Sequence, residues 1–316
     1  MRITHNSIMT NQHETNIFTI QKAEDGQKLF QYLQRKFNIP NSNLHRLIRT
    51  GQIRINSSRC KAFTHIHTND QIRIPPLLLS LKKEIKTNIS NHLSPYILET
   101  YGDIIVINKP TGIPTHPGTG HTDSIATRLA THFSNLPFTP TPAHRLDKDT
   151  TGILLVASSH SELVQLHKYI HDRLITKEYV AWVKGYWPYN NVYKIEQNIQ
   201  KVLNNGFEKM IVTNDNHSKI ARSFVFPLIR NKTESLLHIL IQTGRTHQIR
   251  LQLSNLNFPI IGDKKYGQDN TGPLLLHSLR ITLPNKKSFA ILPPWNGKYV
   301  LKTLPKQIPE FQENNL

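Results

Sequence analysis

The sequence predicts an α+β protein of two unequal domains, and three observations lead there. Two amphipathic helical stripes near the amino end run into short alternating strands. Beyond a lysine-rich stretch, apolar strand-like runs recur, separated by helical segments and by loops rich in proline, glycine and asparagine. The chain has 316 residues, 37% of them hydrophobic and 19% charged, enough for one large core and one small one and outside the disordered range.

Residues 1–23 show no sustained period and are read as a flexible arm. From Asp25 onward Leu29, Phe30, Leu33 and Phe37 recur at helical spacing, and Asn38 and Pro40 stop the helix. A second helix is predicted with Ser42 as N-cap, Leu44, Leu47 and Ile48 as its apolar stripe and Gly51 as its stop. Arg46 and Arg49, three apart, share a face of it. Ile53 and Ile55 then alternate with Arg54, a turn follows at Asn56-Ser57-Ser58, and the strand Gln71-Ile72-Arg73-Ile74 closes on Pro75-Pro76. The small domain is therefore placed at 24–76, and 77–96 is read as a linker whose Leu77-Leu78-Leu79 docks on a neighbour.

The large domain is assigned to 97–316. Ile104–Ile107 reads as a buried strand entering a loop, Asn108–Gly118, that Pro110, Pro114 and Pro117 stiffen. Ser124–Phe133 and Ser161–Ile170 read as helices, and Thr176–Gly185 as a strand with Tyr179, Ala181 and Val183 on one face. The asparagine-rich 187–217 reads as loops and short hairpins. Leu236–Gln242 is a strand, followed by a glycine turn and a helix with Thr243 or Thr246 as N-cap.

Composition narrows the class of function. A net charge of +18 and a pI near 9.9 point to a polyanionic partner, nucleic acid ahead of an anionic membrane. Residues 1–76 carry net +7 against +11 for the remaining 240, so positive charge is densest at the amino end. No apolar run approaches the roughly 20 residues that span a bilayer, and the polar opening Met1–Asn6 is no signal-peptide core, so a cytoplasmic protein is expected. The single Cys60 excludes an internal disulfide and a cysteine-rich metal cluster. Of 17 histidines, His116, His144, His247 and His277 lie near the charged motifs, but no pair has i, i+4 spacing with a third carboxylate ligand; they are read as structural, and no metal is expected.

The chain is organised around His144-Arg145-Leu146-Asp147-Lys148-Asp149-Thr150-Thr151-Gly152, which runs straight into the apolar Ile153–Ala157. Those apolar residues read as a strand covered on both faces, with Gly152 easing the entry. A carboxylate at such a strand end is held more rigidly than one on a free loop. Residues two apart share a face of an extended segment, so spacing alone does not separate Asp147 from Asp149.

Two resemblances follow from these residues. The stretches Asp25–Leu29, Leu44–Asn56 and Asn69–Ile74 resemble an S4 RNA-binding domain, which implies contact of Arg46, Arg49 and Arg54 with RNA phosphates. His144-Arg145-Leu146-Asp147 with Thr150-Thr151-Gly152, then Lys177-Glu178-Tyr179, then Gly244–Arg250 resemble the RluA-type pseudouridine synthases, closest to the RluC-like and RluD-like branch that acts on large-subunit ribosomal RNA. Asn108-Lys109-Pro110, Gly262-Asp263 with Tyr266-Gly267, and Leu274–Ser278 add to the likeness. Thr151, Leu251-Gln252 and Phe258 depart from the usual residues and bear on substrate detail.

The resemblance implies a mixed, largely antiparallel sheet in the catalytic domain and isomerisation of uridine to pseudouridine without a cofactor. It makes Asp147 the nucleophile, pairs Arg250 with it, sets Tyr179 against the uracil as stacking partner and proton handler, and sends Arg145 into the RNA stack beside an extruded nucleotide. Ribosomal RNA is the expected partner of a monomeric enzyme with no membrane contact. A non-catalytic RNA-binding or ribosome-assembly protein and a carboxylate-based nucleoside hydrolase are the alternative classes. The hydrolase would release free uracil; the joint presence of Asp147, Tyr179 and Arg250 argues against the non-catalytic protein.

Overall fold

The stripes around Leu29 and Leu44 become α1 (Leu29–Phe37) and α2 (Asn41–Arg49), packed against a small sheet. The computed structural model describes residues 16–37, 40–76, 78, 93–118, 122–204, 207–213, 215 and 218–308, and the chain divides into two units, Met1–Asn88 and Ile89–Leu316.

In the first unit β1 (Ile17–Thr19), β2 (Arg54–Ile55), β3 (Ser58–Arg59) and β4 (Gln71–Arg73) form an antiparallel sheet in the order β1-β4-β2-β3. Asn56 and Ser57 both take left-handed backbone angles, which makes the β2–β3 connection a tight hairpin. Leu29, Leu33, Leu44, Ile53, Ile66 and Ile72 are fully buried. At about 1.5–3 kcal/mol for each such side chain they give this unit a core of its own. Leu78 joins that core, while Leu77, Leu79 and the rest of the expected linker up to residue 92 lie outside the described residues.

Two expectations need correction here. The arm assigned to 1–23 ends too late, because Ile17–Thr19 pairs in register with Gln71–Arg73. Three residues cannot display a period, so that strand exists only through its partner. Pro40, not Ser42, is the N-cap of α2: its fixed φ presets the helix entry two residues before the Ser42 hydroxyl.

The second unit is built on one eleven-stranded sheet. Its strands are β5 (Ile97–Tyr101), β6 (Ile104–Lys109), β7 (Thr141–Pro142), β8 (Thr151–Ala157), β9 (Thr176–Lys184), β10 (Tyr193–Asn204), β11 (Phe207–Val212), β12 (Lys219–Arg230), β13 (Glu234–Ile241), β14 (Leu276–Thr282) and β15 (Ser288–Ala290). The order is β11-β10-β12-β13-β9-β14-β8-β6-β5, with β15 on β14 and β7 on β8. Every pairing is antiparallel except β14 with β8, so the sheet is mixed and largely antiparallel. Helices α3 (Ile125–His132), α4 (His160–His171) and α5 (Gln248–Asn255) accompany it, with Ser124 and Ser159 capping the first two.

Within 187–217, residues 187–192 are irregular as expected, but β10 and β11 pair as one long hairpin rather than several short ones. Among its described residues Ile195 and Ile199 are buried, spaced for one apolar face, and the polar residues between them mask the strand in sequence. The N-cap of α5 is His247 rather than Thr243 or Thr246. Thr243 is occupied elsewhere: its hydroxyl donates to Gln248 Oε1 at 2.7 Å and accepts from the Arg222 amide at 2.8 Å.

β8 is buried along its whole length, as an apolar run flanked by strands on both sides should be. Its parallel neighbour fixes the residue at its entry. Gly152 has φ +107°, and a Cβ there would stand 2.2 Å from the Ser278 carbonyl oxygen. Gly152→Ala must therefore strain one strand and displace another. We expect a loss of about 2–5 kcal/mol in urea unfolding; a loss below about 0.5 kcal/mol would show that β14 yields freely.

Candidate active site

The turn that delivers the carboxylate is clamped from several sides. The Thr150 amide donates to the Asp147 carbonyl at 3.1 Å, closing a turn over Asp147-Lys148-Asp149-Thr150 just before β8. Leu146 exchanges two bonds with the Thr115 hydroxyl, at 3.0 and 2.9 Å. Lys109, fully buried, spends its ammonium on the carbonyls of Pro110, Ile113 and Lys148 at 2.7, 2.8 and 2.9 Å. Burial pulls that amine down to about 7. The three acceptors match the three N–H bonds of the charged form, whereas a neutral amine could serve only two. The proline-stiffened loop thus fixes the turn through Thr115 and Lys109.

Because the segment turns, its two carboxylates part company. Asp147 is largely buried and lines a cleft of about 540 Å³, while Asp149 is exposed and outside it. The cleft brings together Asp147, Tyr179, Arg250 and Arg145. Arg250 Nη1 donates to Asp147 Oδ2 at 3.1 Å. Its Nε and Nη2 donate to Asp263 Oδ2 and Oδ1 at 2.9 and 2.8 Å, a bidentate clamp on a side chain that is itself fully buried. Burial alone would lower the guanidinium pKa, but the Asp263 and Asp147 carboxylates more than offset it and raise it. Burial likewise pushes the Asp263 carboxyl upward, and Arg250 outweighs that and holds it below the ordinary value. Asp147 Oδ1 has no hydrogen bond among the described residues, so one oxygen of the pair is anchored and the other is available.

α5 presents Arg250 by turning three polar side chains inward. Gln248 Nε2 donates to the Arg222 carbonyl and the Ser223 hydroxyl at 3.0 and 2.9 Å, and Gln252 Nε2 to the Ala221 carbonyl at 3.0 Å. These bonds dock the helix on β12, and the departure at Gln252 is one of its anchors. From β9, Tyr179 enters the same cleft. It is buried, and burial raises its phenol well above the ordinary range despite a bond to Ser278. A phenol so raised stays protonated near neutral pH, which suits stacking and hydrogen-bond donation better than proton acceptance.

The rim is cationic, with Arg145, Arg173, Lys177 and Arg245 around the opening. Arg145 is exposed there; burial draws the Lys177 amine down to about 8. In the first unit, exposed Arg46 and Arg49 line a separate hollow of about 690 Å³ together with His45 and Lys61. Arg54 is not part of it: its Nε and Nη1 donate to the Gly51 and Ser57 carbonyls at 3.2 and 3.1 Å, bracing the hairpin.

Sequence reasoning passed over Asp263, Tyr266, Lys109 and His247 as site residues, although each lies in a quoted motif block. Two of the four weighed histidines are structurally engaged. His144 Nε2 accepts from the Leu155 amide at 3.0 Å, and His277 bridges the Thr151 hydroxyl and the Ile291 carbonyl at 2.7 and 3.0 Å. His247 differs: its Nδ1 meets the Tyr266 hydroxyl at 2.8 Å and its Nε2 lies 4.0 Å from Asp147 Oδ2. Among the described residues no group of three His, Cys, Asp or Glu is placed to hold a metal ion, and no helix is long and apolar enough to cross a membrane.

A carboxylate beside a clamped guanidinium, a buried tyrosine and a cationic rim on a mixed sheet suit an enzyme that works on a polyanion. The chain belongs to the RNA pseudouridylate synthase family, whose description matches residues 103–255, and is an RNA pseudouridine synthase, an isomerase. Relatives named ribosomal large subunit pseudouridine synthase C are similar over most of the length. That of Buchnera aphidicola subsp. Acyrthosiphon pisum is 31% identical, covering 94% of this chain and 95% of the relative. That of Escherichia coli K12 is 31% identical over 79% of each. The solved structure of Human RNA Pseudouridylate Synthase Domain Containing 4 shares the fold, with a TM-score of 0.52 and 23% identity over 68% of this chain and 90% of that one.

Proposed function

We propose that this protein converts specific uridines of large-subunit ribosomal RNA into pseudouridine, with Asp147 as the nucleophile. The observation that carries the reading is the pair Asp147 and Arg250 lining a cation-rimmed cleft, with buried Asp263 clamping Arg250. A carboxylate is a competent covalent partner at a sugar carbon when it is ionised and one oxygen is unencumbered. Arg250 supplies the neighbouring charge and Asp263 sets the fork of Arg250, so Oδ1 of Asp147 faces the substrate. Tyr179 stacks on the uracil, and Arg145 occupies the gap left when the nucleotide swings out. The isomerisation has no redox change and no net hydrolysis, so the chemistry itself calls for no cofactor.

The ribosomal target is drawn from the relatives' names. In the first unit, the two helices, the hairpin and the returning strand support the S4 RNA-binding reading, with Arg46 and Arg49 as phosphate contacts and Arg54 chiefly as a brace. Pseudouridines in ribosomal RNA are to be mapped in cells with and without this gene. A few large-subunit sites should vanish from cells lacking it; an unchanged map would refute the ribosomal assignment.

A further inference from the structure

We propose that His247 is a catalytic hydrogen-bond donor to the uracil ring, holding a carbonyl oxygen on which negative charge gathers as the glycosidic bond opens. This deepens the function proposed above and rests on Asp147 acting at the sugar.

The backbone singles His247 out. It starts α5 with φ 54° and ψ 23°, in the left-handed region, and its side chain caps nothing. A residue with a Cβ is held there under backbone strain, and the conformation directs the imidazole into the cleft instead of over the helix end. One ring nitrogen is fixed. Burial pushes the Tyr266 phenol up to about 12, so the hydroxyl keeps its proton and can donate it to His247 Nδ1 at 2.8 Å. Neutral imidazole then carries its own proton on Nε2.

That Nε2–H faces Asp147 Oδ2 across 4.0 Å, too far for a hydrogen bond, and has no other partner among the described residues. A donor standing unused beside the nucleophile is placed for something the substrate brings. Burial is the largest influence on the ring and lowers its pKa; Asp147 and Asp263 oppose this, while Arg250 and Lys265 add to it. The group offered at neutral pH is therefore an uncharged N–H.

The chemistry has a use for it. When the C1′–N1 bond breaks, its electron pair passes to the uracil ring and is shared among N1, O2 and O4, while the sugar carbon is taken up by the Asp147 carboxylate. Rotation brings C5 to C1′, the C1′–C5 bond forms as the carboxylate is released, C5 loses its proton and N1 gains one. His247 keeps its proton throughout. Its bond strengthens only while the uracil is charged, the condition under which a donor accelerates a reaction instead of merely binding.

The test uses the full-length protein, large-subunit ribosomal RNA transcripts and tritium at uracil C5. His247→Asn keeps a side chain tolerant of left-handed backbone and able to accept from Tyr266, but cannot reach Asp147. Its kcat should fall about 10²–10³-fold with KM within about threefold of wild type. Tyr266→Phe, which keeps the ring packing and frees Nδ1, should lower kcat about tenfold. In transcripts with the target uridine replaced by 2-thio- or 4-thiouridine, one substitution should slow the wild type and cost His247→Asn nothing further, because sulfur is a poor acceptor. A kcat for His247→Asn near wild type, or equal thio penalties in both proteins, would overturn the proposal. Asp147→Asn is run alongside: if it is active, the nucleophile reading fails; if it is inactive while His247→Asn works normally, only the role of His247 fails.

Discussion

Arg250→Met is expected to lower stability by about 3–5 kcal/mol, because it strands a buried carboxylate without its counter-charge. Asp263 is fully buried, and Arg250 gives it two hydrogen bonds; the amides of Lys265 and Tyr266 give it two more, at 2.9 and 3.0 Å. The amides remain in the variant and the charge compensation does not. The pH dependence has a defined sign. In wild type the folded-state pKa of Asp263 is depressed, so its contribution is present above the ordinary carboxylate pKa and is lost as pH falls through the depressed value. Without Arg250, burial governs and the folded-state pKa rises. The penalty in Arg250→Met should then be small near pH 4 and widen as pH rises. Asp263→Asn added to Arg250→Met should recover part of the loss, the mark of interacting rather than independent sites. Urea unfolding of the single and double variants between pH 4 and pH 8 measures this; single and double variants alike within about 0.5 kcal/mol would remove the ion-pair explanation.

Legibility followed the physics of each segment. The burial of β8 could be read from residues 153–157, because a strand packed on both faces declares itself by composition, whereas β9, expected with one core face of Tyr179, Ala181 and Val183, also buries Val180 and Trp182 on the other. The same rules failed where structure comes from a partner distant in sequence. β1 is too short to have a pattern and exists by pairing with β4. The β10–β11 hairpin hides among asparagines because its buried Ile195 and Ile199 are separated by polar residues. His247 as helix start was invisible, since it takes a backbone region that no residue preference there predicts.

The site divides in the same way. Asp147, Tyr179 and Arg250 come from three motif blocks, and the structure sets all three around one cleft. What the sequence could not express was geometry between blocks. Asp263 stands thirteen residues from Arg250 across a loop, and nothing in either residue announces a bidentate clamp. Asp147 and Asp149 look equivalent in an extended reading and separate only because the chain turns between them. Arg54 reads as a phosphate contact from its place beside Arg46 and Arg49, yet nearby carbonyls claim its guanidinium. A side chain's neighbours along the chain fix its chemistry, and its neighbours in space fix its use.

If Asp147 is the nucleophile of a uridine isomerase, release of tritium from uracil C5 depends on it. Forming the carbon–carbon bond at C5 expels the hydrogen there, so label in water counts completed rearrangements, which simple hydrolysis would not produce. Asp147→Asn keeps a polar side chain of nearly the same shape, so fold and RNA affinity should persist. Losing the anionic oxygen should cut release by about 10⁴-fold or more. Asp149→Asn, exposed and outside the cleft, should stay within about threefold of wild type. Release at the wild-type rate by folded Asp147→Asn, or abolition by Asp149→Asn alone, would contradict the account.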